Sequence, residues 1–361
     1  MSGAGGLVEV YPGARPVLSV VVIGRNVAAT LARSLESVLM AGARLGQPYE
    51  VIYVDSASED NSAEIAARYP VTVLRIAPGE WRCPAAGRAL GTQHARGRFV
   101  AFLDGDRTFH TDWFVHALPY FQDPSVGTVS GNIVDVFRNG QGREIRWHRT
   151  FYPAVTGTGL PDGSSIIRYA ALEASGGFDP YLIASEEKEL ALRLHTTGYR
   201  SLGVPHIAAE HYADDPAAWR EIRRRRRNGY YRGYGQALKR TWNTPGRLAY
   251  LAYIKVPLAF AAGLLLWIAL MLATLVSRKP WPALTAVLGA MGTLGLFSWR
   301  LKGLRQGAAF ALSQLFVTEG LLRGLLMPIP REPYRPHYAR LRQGLVLVSA
   351  AERLAAMVSK K

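Results

Sequence analysis

The stretch Phe99-Val-Ala-Phe-Leu-Asp-Gly-Asp-Arg107 decides the fold class of this 361-residue chain. Four of its first five residues are large and apolar, and two carboxylates then follow, one residue apart. A short apolar run of this kind predicts a buried strand, and open α/β sheets bind ligands at the carboxyl ends of their strands. We therefore expect Asp104 and Asp106 in a crevice, where a hard divalent cation would offset their repulsion. The alternative interpretation is an ordinary Asp-Gly turn after a strand.

Strands and helices alternate around this stretch. The apolar patterns predict strands at residues 18–23, 50–54, 71–76 and 99–103, and helices at residues 27–40, 63–69 and 84–96. Such alternation predicts an α/β fold with a mostly parallel, doubly wound sheet. The second strand ends at Asp55, so Asp55 and Asp104 should share the carboxyl edge of the sheet, where a nucleotide would bind.

Composition and missing motifs narrow the class of function. The net charge of +16 favours a polyanionic partner such as nucleic acid, anionic lipid or a phosphate-bearing substrate. The single cysteine, Cys83, excludes an internal disulfide, and the first residues lack a signal-peptide pattern, so we expect this part of the chain in the cytosol. Dinucleotide-binding and phosphate-loop glycine motifs are absent, and the histidines lack zinc-site spacing.

A second acidic cluster lies further along the chain. The turn Gly176-Gly-Phe-Asp179 is followed by Ser185-Glu-Glu-Lys-Glu-Leu190, which begins a predicted helix. Carboxylates in a first helical turn suit the helix dipole. Taken alone, Glu186, Glu187 and Glu189 therefore favour an ordinary interpretation as solvated charges at a helix start.

The order of these motifs resembles that of family 2 glycosyltransferases with the GT-A fold. The resemblance covers roughly residues 18–238. Residues 18–26 are similar to the family's first strand and loop, and Asp55 with the Ser/Asp-rich turn 56–62 is similar to its second. Asp104-Gly-Asp106 matches the D-x-D metal motif, and the Gly-Gly-Phe-Asp turn before Glu186-Glu187 is similar to the segment that carries the family's base. The fold implied is a GT-A domain followed by a C-terminal helical membrane region.

The resemblance implies a nucleotide-sugar site at the sheet edge. Gly24, Arg25, Asp55, Arg88 and Asp104 are the residues that it implies for donor binding, with Asp55 at the nucleobase and Arg88 near the diphosphate.

The resemblance also implies a metal and a base. Asp106, assisted by Asp104, would bind Mg²⁺ or Mn²⁺ with His211 near the ion, although His211 could instead be a structural residue at a strand end. Glu187, with Glu186 beside it, would be the base of an inverting transfer. A carboxylate that removes the proton of an attacking hydroxyl while a cation stabilises the leaving diphosphate is a coherent mechanism.

Three positions depart from the family pattern and keep a different class of function open. Ile23-Gly24 stands where the family usually has Pro-Thr, Arg88-Ala89 where it has Arg-Asn, and Glu186-Glu187 where it has Glu-Asp. A non-catalytic membrane adaptor with a glycosyltransferase fold is therefore one alternative. A processive polysaccharide synthase is another, although two or three spans seldom suffice to build a pore.

A basic segment precedes the apolar C-terminal part. Five consecutive arginines, residues 223–227, are followed by a Gly/Tyr-rich stretch. Arginine interleaved with tyrosine can bind nucleic acid, but its place before apolar segments favours anionic lipid, and we expect no nucleic-acid partner. The resemblance implies a lid over the diphosphate or acceptor here, for which Arg227, Tyr231 and Arg232 are the candidates.

Uncharged stretches at residues 256–276 and 281–299 are long enough to span a bilayer, whereas 307–329 contains charges and is either an interfacial helix or a third span. The expected organisation is a flexible N-terminus (1–16), a GT-A domain (17–240), a membrane region (241–330) and a basic cytosolic tail (331–361). We expect a multi-pass protein of the inner (plasma) membrane with a cytosolic catalytic domain. The acceptor would be a lipid-linked glycan or polyprenyl phosphate in polysaccharide or glycolipid synthesis, with other glycan-assembly proteins as possible partners.

Overall fold

The structure is a computed structural model that describes residues 15–138, 144–157, 162–212 and 219–348. Most of the predicted flexible N-terminus, the middle of the Gly-rich stretch 157–165 and the end of the predicted tail lie outside the described residues. The chain divides into two compact units. The first comprises the described residues within Met1–Leu182, Glu186–Ala213 and Pro330–Lys361, and the second those within Ile183–Ser185 and Asp214–Ile329.

The first unit is an α/β domain. Its described strands are β1 Leu18–Gly24, β2 Tyr49–Asp55, β3 Thr72–Ile76, β4 Phe99–Asp104, β5 Arg107–Phe109, β6 Val126–Arg138, β7 Glu144–Thr150, β8 Ile166–Arg168, β9 Arg200–Tyr212 and β10 Tyr338–Arg342. Its described helices are α1 Ala28–Leu45, α2 Ser62–Ala66, α3 Pro84–His94, α4 Trp113–Ala117, a 3-10 helix Leu118–Gln122, α5 Tyr169–Ser175 and α6 Glu186–Thr196.

The centre of the sheet has the predicted parallel arrangement. Strand β1 lies between β2 and β4 and pairs in parallel with both. The register places Gly24 opposite Asp55 and Ile23 opposite Asp104. The prediction that Asp55 and Asp104 share one carboxyl edge is therefore confirmed.

Apolar residues face both sides of these central strands, which explains their nearly continuous apolar sequences. Successive side chains of a strand point to opposite faces. Val20 and Val22 of β1 pack in a core with Leu31 and Leu35 of α1. Val21 and Ile23 pack in a second core with Leu90 of α3 and Leu190 of α6. The sheet is thus covered by helices on both faces, as a doubly wound sheet requires.

The sheet as a whole is mixed rather than mostly parallel. Its order is β10-β3-β2-β1-β4-β8-β6-β9-β5, with β7 paired to β6. Strands β8 and β10 pair antiparallel with β4 and β3, and β7 and β5 pair antiparallel with β6 and β9. For β6 and β7 the physical reason is that only five residues of sequence connect them, whereas a parallel pair needs a crossover of about a dozen or more.

The described residues 330–348 belong to the first unit. Strand β10 pairs with β3 at the edge of the sheet, and the backbone of Leu347 pairs with that of Tyr49. Leu347 is fully buried in the core beside α1. From the sequence, residues 331–361 were expected to form a separate tail, and this edge strand was not predicted. The reason is that the side chains of β10 are mostly exposed and show no apolar pattern.

The second unit is helical. Its described helices are α7 Trp219–Arg227, α8 Arg232–Thr241, α9 Arg247–Tyr253, α10 Lys255–Ser277, α11 Trp281–Arg300 and α12 Leu304–Leu326. The helices α10, α11 and α12 are long and apolar enough to cross a membrane by length and composition. A side chain at Gly235 of α8 would collide with the backbone of α12, so the absence of a Cβ there permits the close packing of these two helices.

Candidate active site

Asp55 is completely buried at the end of β2. Its carboxylate accepts hydrogen bonds from the Tyr53 hydroxyl (3.2 Å) and the Ser58 amide (3.0 Å), and Arg75 Nε lies 3.4 Å away. Arg75 also donates to the Ser58 carbonyl at 2.8 Å. These contacts fix the turn that follows β2, and Asp55 thereby shapes the edge of the sheet. Its own side chain is fully buried and is not part of the surface.

Arg88 connects carboxylates that are distant in sequence. The guanidinium of this α3 residue is buried, and its Nη2 donates both to Asp104 Oδ1 (2.7 Å) and to Glu187 Oε1 (3.0 Å). Its Nη1 donates to Glu186 Oε1 at 2.5 Å. The acidic start of α6 therefore meets the carboxyl end of β4 through one guanidinium.

The interpretation of Glu186, Glu187 and Glu189 as solvated charges at a helix start is wrong for Glu186 and Glu189. Glu186 and Glu189 are buried, and each is paired with an arginine: Glu186 with Arg88, and Glu189 with Arg193 at 2.7 Å. Glu187 keeps 25 % of its side-chain surface exposed, against 7 % for Glu186. Of the two adjacent carboxylates, Glu187 is the one that an incoming molecule can reach.

Arg107 and Asp162 also belong to this cluster, and neither was among the predicted site residues. Arg107 Nη2 lies 3.0 Å from Asp104 Oδ2, so both oxygens of Asp104 are paired with arginine. A Cβ at Gly163 would lie 2.6 Å from Arg107 Nη1 and 2.8 Å from Asp104 Oδ2. The only sequence signal was position, since Arg107 follows the Asp-Gly-Asp motif directly and Asp162 lies in the Gly-rich stretch before Ser164.

Burial and crowding of like charges perturb the acids of this cluster. Burial raises the pKa of Glu186 to about 7 although Arg88 opposes the rise, and burial with the nearby charge of Glu187 raises the pKa of Asp162 to about 6. Burial lowers the pKa of Lys188, which lies near the carboxylates of Glu187 and Asp162. Perturbed groups of this kind concentrate where proteins bind ligands or do chemistry.

Asp106 and His211 form a second polar group beside this cluster. His211 Nε2 lies 3.5 Å from Asp106 Oδ2, and His211 Nδ1 lies 2.8 Å from Asp135 Oδ1 and 2.9 Å from Arg149 Nη2. Asp106 Oδ1 is buried and has no hydrogen-bond partner among the described residues. Burial lowers the pKa of His211, but the hydrogen bonds to Asp106 and Asp135 outweigh it and leave that pKa raised.

The predicted three-residue metal set is corrected in one respect. Across the described ranges, no group of three or more His, Cys, Asp and Glu side chains is arranged to hold a metal ion. Both carboxylate oxygens of Asp104 are paired with Arg88 and Arg107, whereas Asp106 lies beside His211. Asp106 Oδ1, which has no partner within the described ranges, and the nearby imidazole nitrogen of His211 fit a divalent cation that takes its remaining ligands from a bound molecule.

The remaining predicted residues lie at two places. In the first unit, Gly24 ends β1 close to Tyr53, and Arg25 is exposed and paired with Glu59 at 3.2 Å. In the second unit, Arg227 is exposed at the end of α7, whereas Tyr231 is buried and packs against Gly320 of α12. Arg232 begins α8, and its carbonyl group contacts α12 at Gly324.

Two family models match the chain. Residues 19–173 match "Glycosyl transferase family 2", and residues 99–298, more than half of the chain, match "Glycosyl transferase family group 2". The first match contains Asp55, Arg88 and the Asp-Gly-Asp motif, and the second contains that motif together with Glu186, Glu187 and the helices α10 and most of α11.

The chain also resembles individual proteins. It is 26 % identical over 237 residues to beta-monoglucosyldiacylglycerol synthase of Trichormus variabilis, a match over 61 % of this chain and 50 % of that protein. It is 26 % identical over 204 residues to glycosyltransferase AglE of Haloferax volcanii, over 53 % of this chain and 65 % of that one. The chain spans about half the length of the first of these relatives.

Among solved structures, the mannosyltransferase PcManGT of Pyrobaculum calidifontis, determined with GDP-Man and Mn²⁺, has a similar fold. The superposition gives a TM-score of 0.61 and 19 % sequence identity and covers 88 % of this chain and 90 % of that one.

Proposed function

Because the chain belongs to glycosyltransferase family 2 and has the GT-A fold, we propose that it transfers a sugar from a nucleotide-sugar donor to a membrane-associated acceptor with inversion at the anomeric carbon. The observation that carries this proposal is the contact of one Arg88 nitrogen with both Asp104 and Glu187. It brings a candidate base to the carboxyl edge of the sheet, beside the Asp-Gly-Asp motif.

The donor would bind along this edge. Asp55 would act indirectly, because it is buried and holds the turn after β2. This turn, together with Gly24 and Arg25 at the end of β1, would border the nucleobase end. Arg88 and Arg107 compensate the charge of Asp104. This compensation lets a diphosphate approach an otherwise acidic edge with less repulsion.

Asp106 and His211 would hold Mg²⁺ or Mn²⁺ together with the diphosphate. The atoms suited to it are the adjacent His211 Nε2 and the buried Oδ1 of Asp106, which has no hydrogen-bond partner in the described part of the chain. Such an ion, when bound, supplies Lewis-acid stabilisation of a leaving diphosphate. With its proton on Nδ1, His211 would donate to Asp135 Oδ1, 2.8 Å away, and this bond would orient the ring so that Nε2 faces Asp106.

Glu187 would remove the proton of the attacking hydroxyl. Its exposed quarter is available to an acceptor, and its Oε1 is fixed by Arg88 at 3.0 Å. Glu186 is a positioning residue, because it binds the other terminal nitrogen of Arg88 from a buried site. Glutamate serves as a general base as well as aspartate does. A single displacement without a covalent enzyme intermediate would invert the anomeric centre.

The acceptor would be held at a membrane. Three apolar helices of the second unit are candidate spans, and one relative is a synthase of a glucosylated diacylglycerol. We propose a multi-pass protein of the inner (plasma) membrane with its catalytic unit on the cytosolic side. A lipid-linked glycan or polyprenyl phosphate would accept the sugar in polysaccharide or glycolipid synthesis, with Arg227, Tyr231 and Arg232 as candidate residues of a lid.

The test is sugar transfer in membranes that contain the full chain, with a panel of UDP-, GDP- and dTDP-sugars and Mn²⁺. We expect one donor class to support transfer, and Glu187→Gln to reduce it by about 10²- to 10⁴-fold, the usual contribution of a general base. Glu173→Gln, which removes an exposed carboxylate on α5, is the matched control and should retain activity. Near wild-type turnover by Glu187→Gln would refute the role of Glu187, and donor binding without transfer would indicate an adaptor.

A further inference from the structure

The strands β6 and β7 form an antiparallel ribbon whose two faces differ. Directly paired residues of neighbouring strands point to the same face of a sheet. Asp135 of β6 pairs with Trp147 of β7 on one side and with His211 of β9 on the other. These three residues therefore share a face. Arg149, two residues after Trp147, lies on it as well, and its Nε donates to both oxygens of Asp135 at 3.0 Å.

That face also carries an apolar strip, which we define as Phe137, Ile145 and Trp147. Phe137 and Ile145 are directly paired, and Trp147 is the next residue on the same face. Phe137 is half-buried, whereas Ile145 is 36 % and Trp147 57 % exposed. Adjacent exposed apolar side chains on one face mark a binding surface more often than isolated ones do.

The charges of the ribbon indicate what the strip contacts. Arg146, on the opposite face, is paired with Glu210 and Glu144, and Arg149 is paired with Asp135. Docking on an anionic bilayer surface relies on unpaired cations beside the apolar residues. Among the described residues, the strip is also one strand pair wide. Within this described part of the ribbon, both observations favour a single hydrocarbon chain over a bilayer surface.

We propose that the apolar strip binds the hydrocarbon chain of the lipid-linked acceptor. This inference rests on the proposed function, since the strip shares its face with His211 and Asp135 of the candidate metal site. The lipid chain would lie along Phe137, Ile145 and Trp147, and the polar head would point along the same face toward Asp106 and His211. The chain would thereby deliver the acceptor hydroxyl or phosphate to the edge where the donor binds.

The test uses a fluorescent label beside the strip. Cys83 is the only native cysteine and is buried, so Ile145→Cys can be labelled selectively with an environment-sensitive dye. His148→Cys, labelled in the same way on the opposite face of the same strand, is the matched control. The full chain is placed in phosphatidylcholine nanodiscs, which are doped with nitroxide-labelled polyprenyl phosphate in one arm and nitroxide-labelled diacylglycerol in another. A third arm contains nitroxide-labelled phosphatidylcholine alone.

We expect saturable quenching at position 145 by one of the two dopants, little quenching at position 148, and little quenching by labelled phosphatidylcholine. Adding Trp147→Ala should raise the half-saturating dopant concentration about tenfold, the size expected when a large aromatic contact is lost. Equal quenching by phosphatidylcholine, or no quenching at position 145, would overturn the proposal. Stabilisation of the same variants by UDP or GDP with Mn²⁺ tests the donor site separately. If only the proposal about the apolar strip is wrong, this stabilisation is still observed.

Discussion

Arg88→Ala is the substitution that tests the architecture of the site most severely. Arg88 is 2 % exposed, and its two terminal nitrogens contact three carboxylates, of which Glu186 is also buried. Alanine leaves these carboxylates close together, and the remaining cations are Arg107, which is paired with Asp104, and Lys188, which lies near Glu187. We therefore expect the first unit to lose stability as well as function.

The size of the loss follows from burial. Removing one partner of a buried ion pair costs about 3–5 kcal/mol, because the other charge stays buried without compensation. For a unit of this size such a loss lowers the melting temperature by roughly 6–20 °C. Arg44→Ala is the control, since Arg44 contacts Asp112 at 3.0 Å but both side chains are substantially exposed. Exposed pairs contribute about 1 kcal/mol or less.

The loss caused by Arg88→Ala should also depend on pH. Burial raises the pKa of Glu186 to about 7, whereas an unfolded glutamate has a pKa of about 4.3. Between these values the folded state binds more protons than the unfolded chain, so stability decreases as the pH rises. Arg88 opposes this effect, and its removal should therefore be more damaging at about pH 8 than at about pH 5.

Thermal unfolding of the full chain in detergent micelles, at these two pH values, measures both effects. Arg88→Ala and Arg44→Ala should differ clearly in melting temperature, and the difference should be larger at the higher pH. The account of a buried charge cluster around Arg88 would be refuted if Arg88→Ala had the same melting temperature as Arg44→Ala. It would also be refuted if Arg88→Ala lost more in melting temperature at the lower pH than at the higher one.

Three further substitutions have definite expected outcomes. Leu347→Ala should cost about 2–5 kcal/mol in unfolding free energy because it leaves a cavity in the core, whereas Leu341→Ala, 48 % exposed on β10, should be nearly neutral in the same thermal assay. Gly163→Ala places a Cβ 2.6 Å from Arg107 Nη1 and should reduce donor binding by displacing that guanidinium, measured by calorimetry with nucleoside diphosphate. Asp162, whose pKa burial raises to about 6, destabilises the fold increasingly as the pH rises from about 4 to 6, so Asp162→Asn should gain stability relative to the wild type over that interval.

The parallel half of the sheet was predictable because its strands are buried on both faces. Each of β1, β2 and β4 consists almost entirely of apolar residues up to its last position, and helices with a 3.6-residue period separate them. The placement of Asp55 and Asp104 at one edge followed from that topology alone.

Two strands of the sheet, β7 and β10, were less predictable because they are exposed. Every residue of β7 from Glu144 to Arg149 is exposed, and arginines interrupt its apolar positions. The strand β10 is exposed and polar for the same reason, since it forms the edge of the sheet. Neither strand has the apolar pattern that identifies buried strands.

The contacts within the site could not be read from local sequence. Glu186 looked like an ordinary first-turn charge, and its burial depends on Arg88, 98 residues away in the chain. The pairing of Asp104 with Arg88 and Arg107, on which the proposal of Asp106 and His211 as the metal-binding pair rests, likewise depends on tertiary packing. Motif order predicted which residues would meet, but only the packing showed which carboxylates are buried against arginine and which are partly exposed.

Metal-dependent binding of the donor's diphosphate at Asp106 tests the central claim most directly. A ligand present at a hundredfold excess over its Kd stabilises the folded protein by about 2.7 kcal/mol. The measurement is the melting temperature of the full chain with UDP, GDP or dTDP, in Mn²⁺ or in EDTA. We predict that one nucleotide raises it in Mn²⁺ only, and that Asp106→Asn abolishes this rise without lowering the melting temperature of the unliganded protein by a comparable amount. Equal stabilisation in EDTA, or an undiminished rise in Asp106→Asn, would contradict the account.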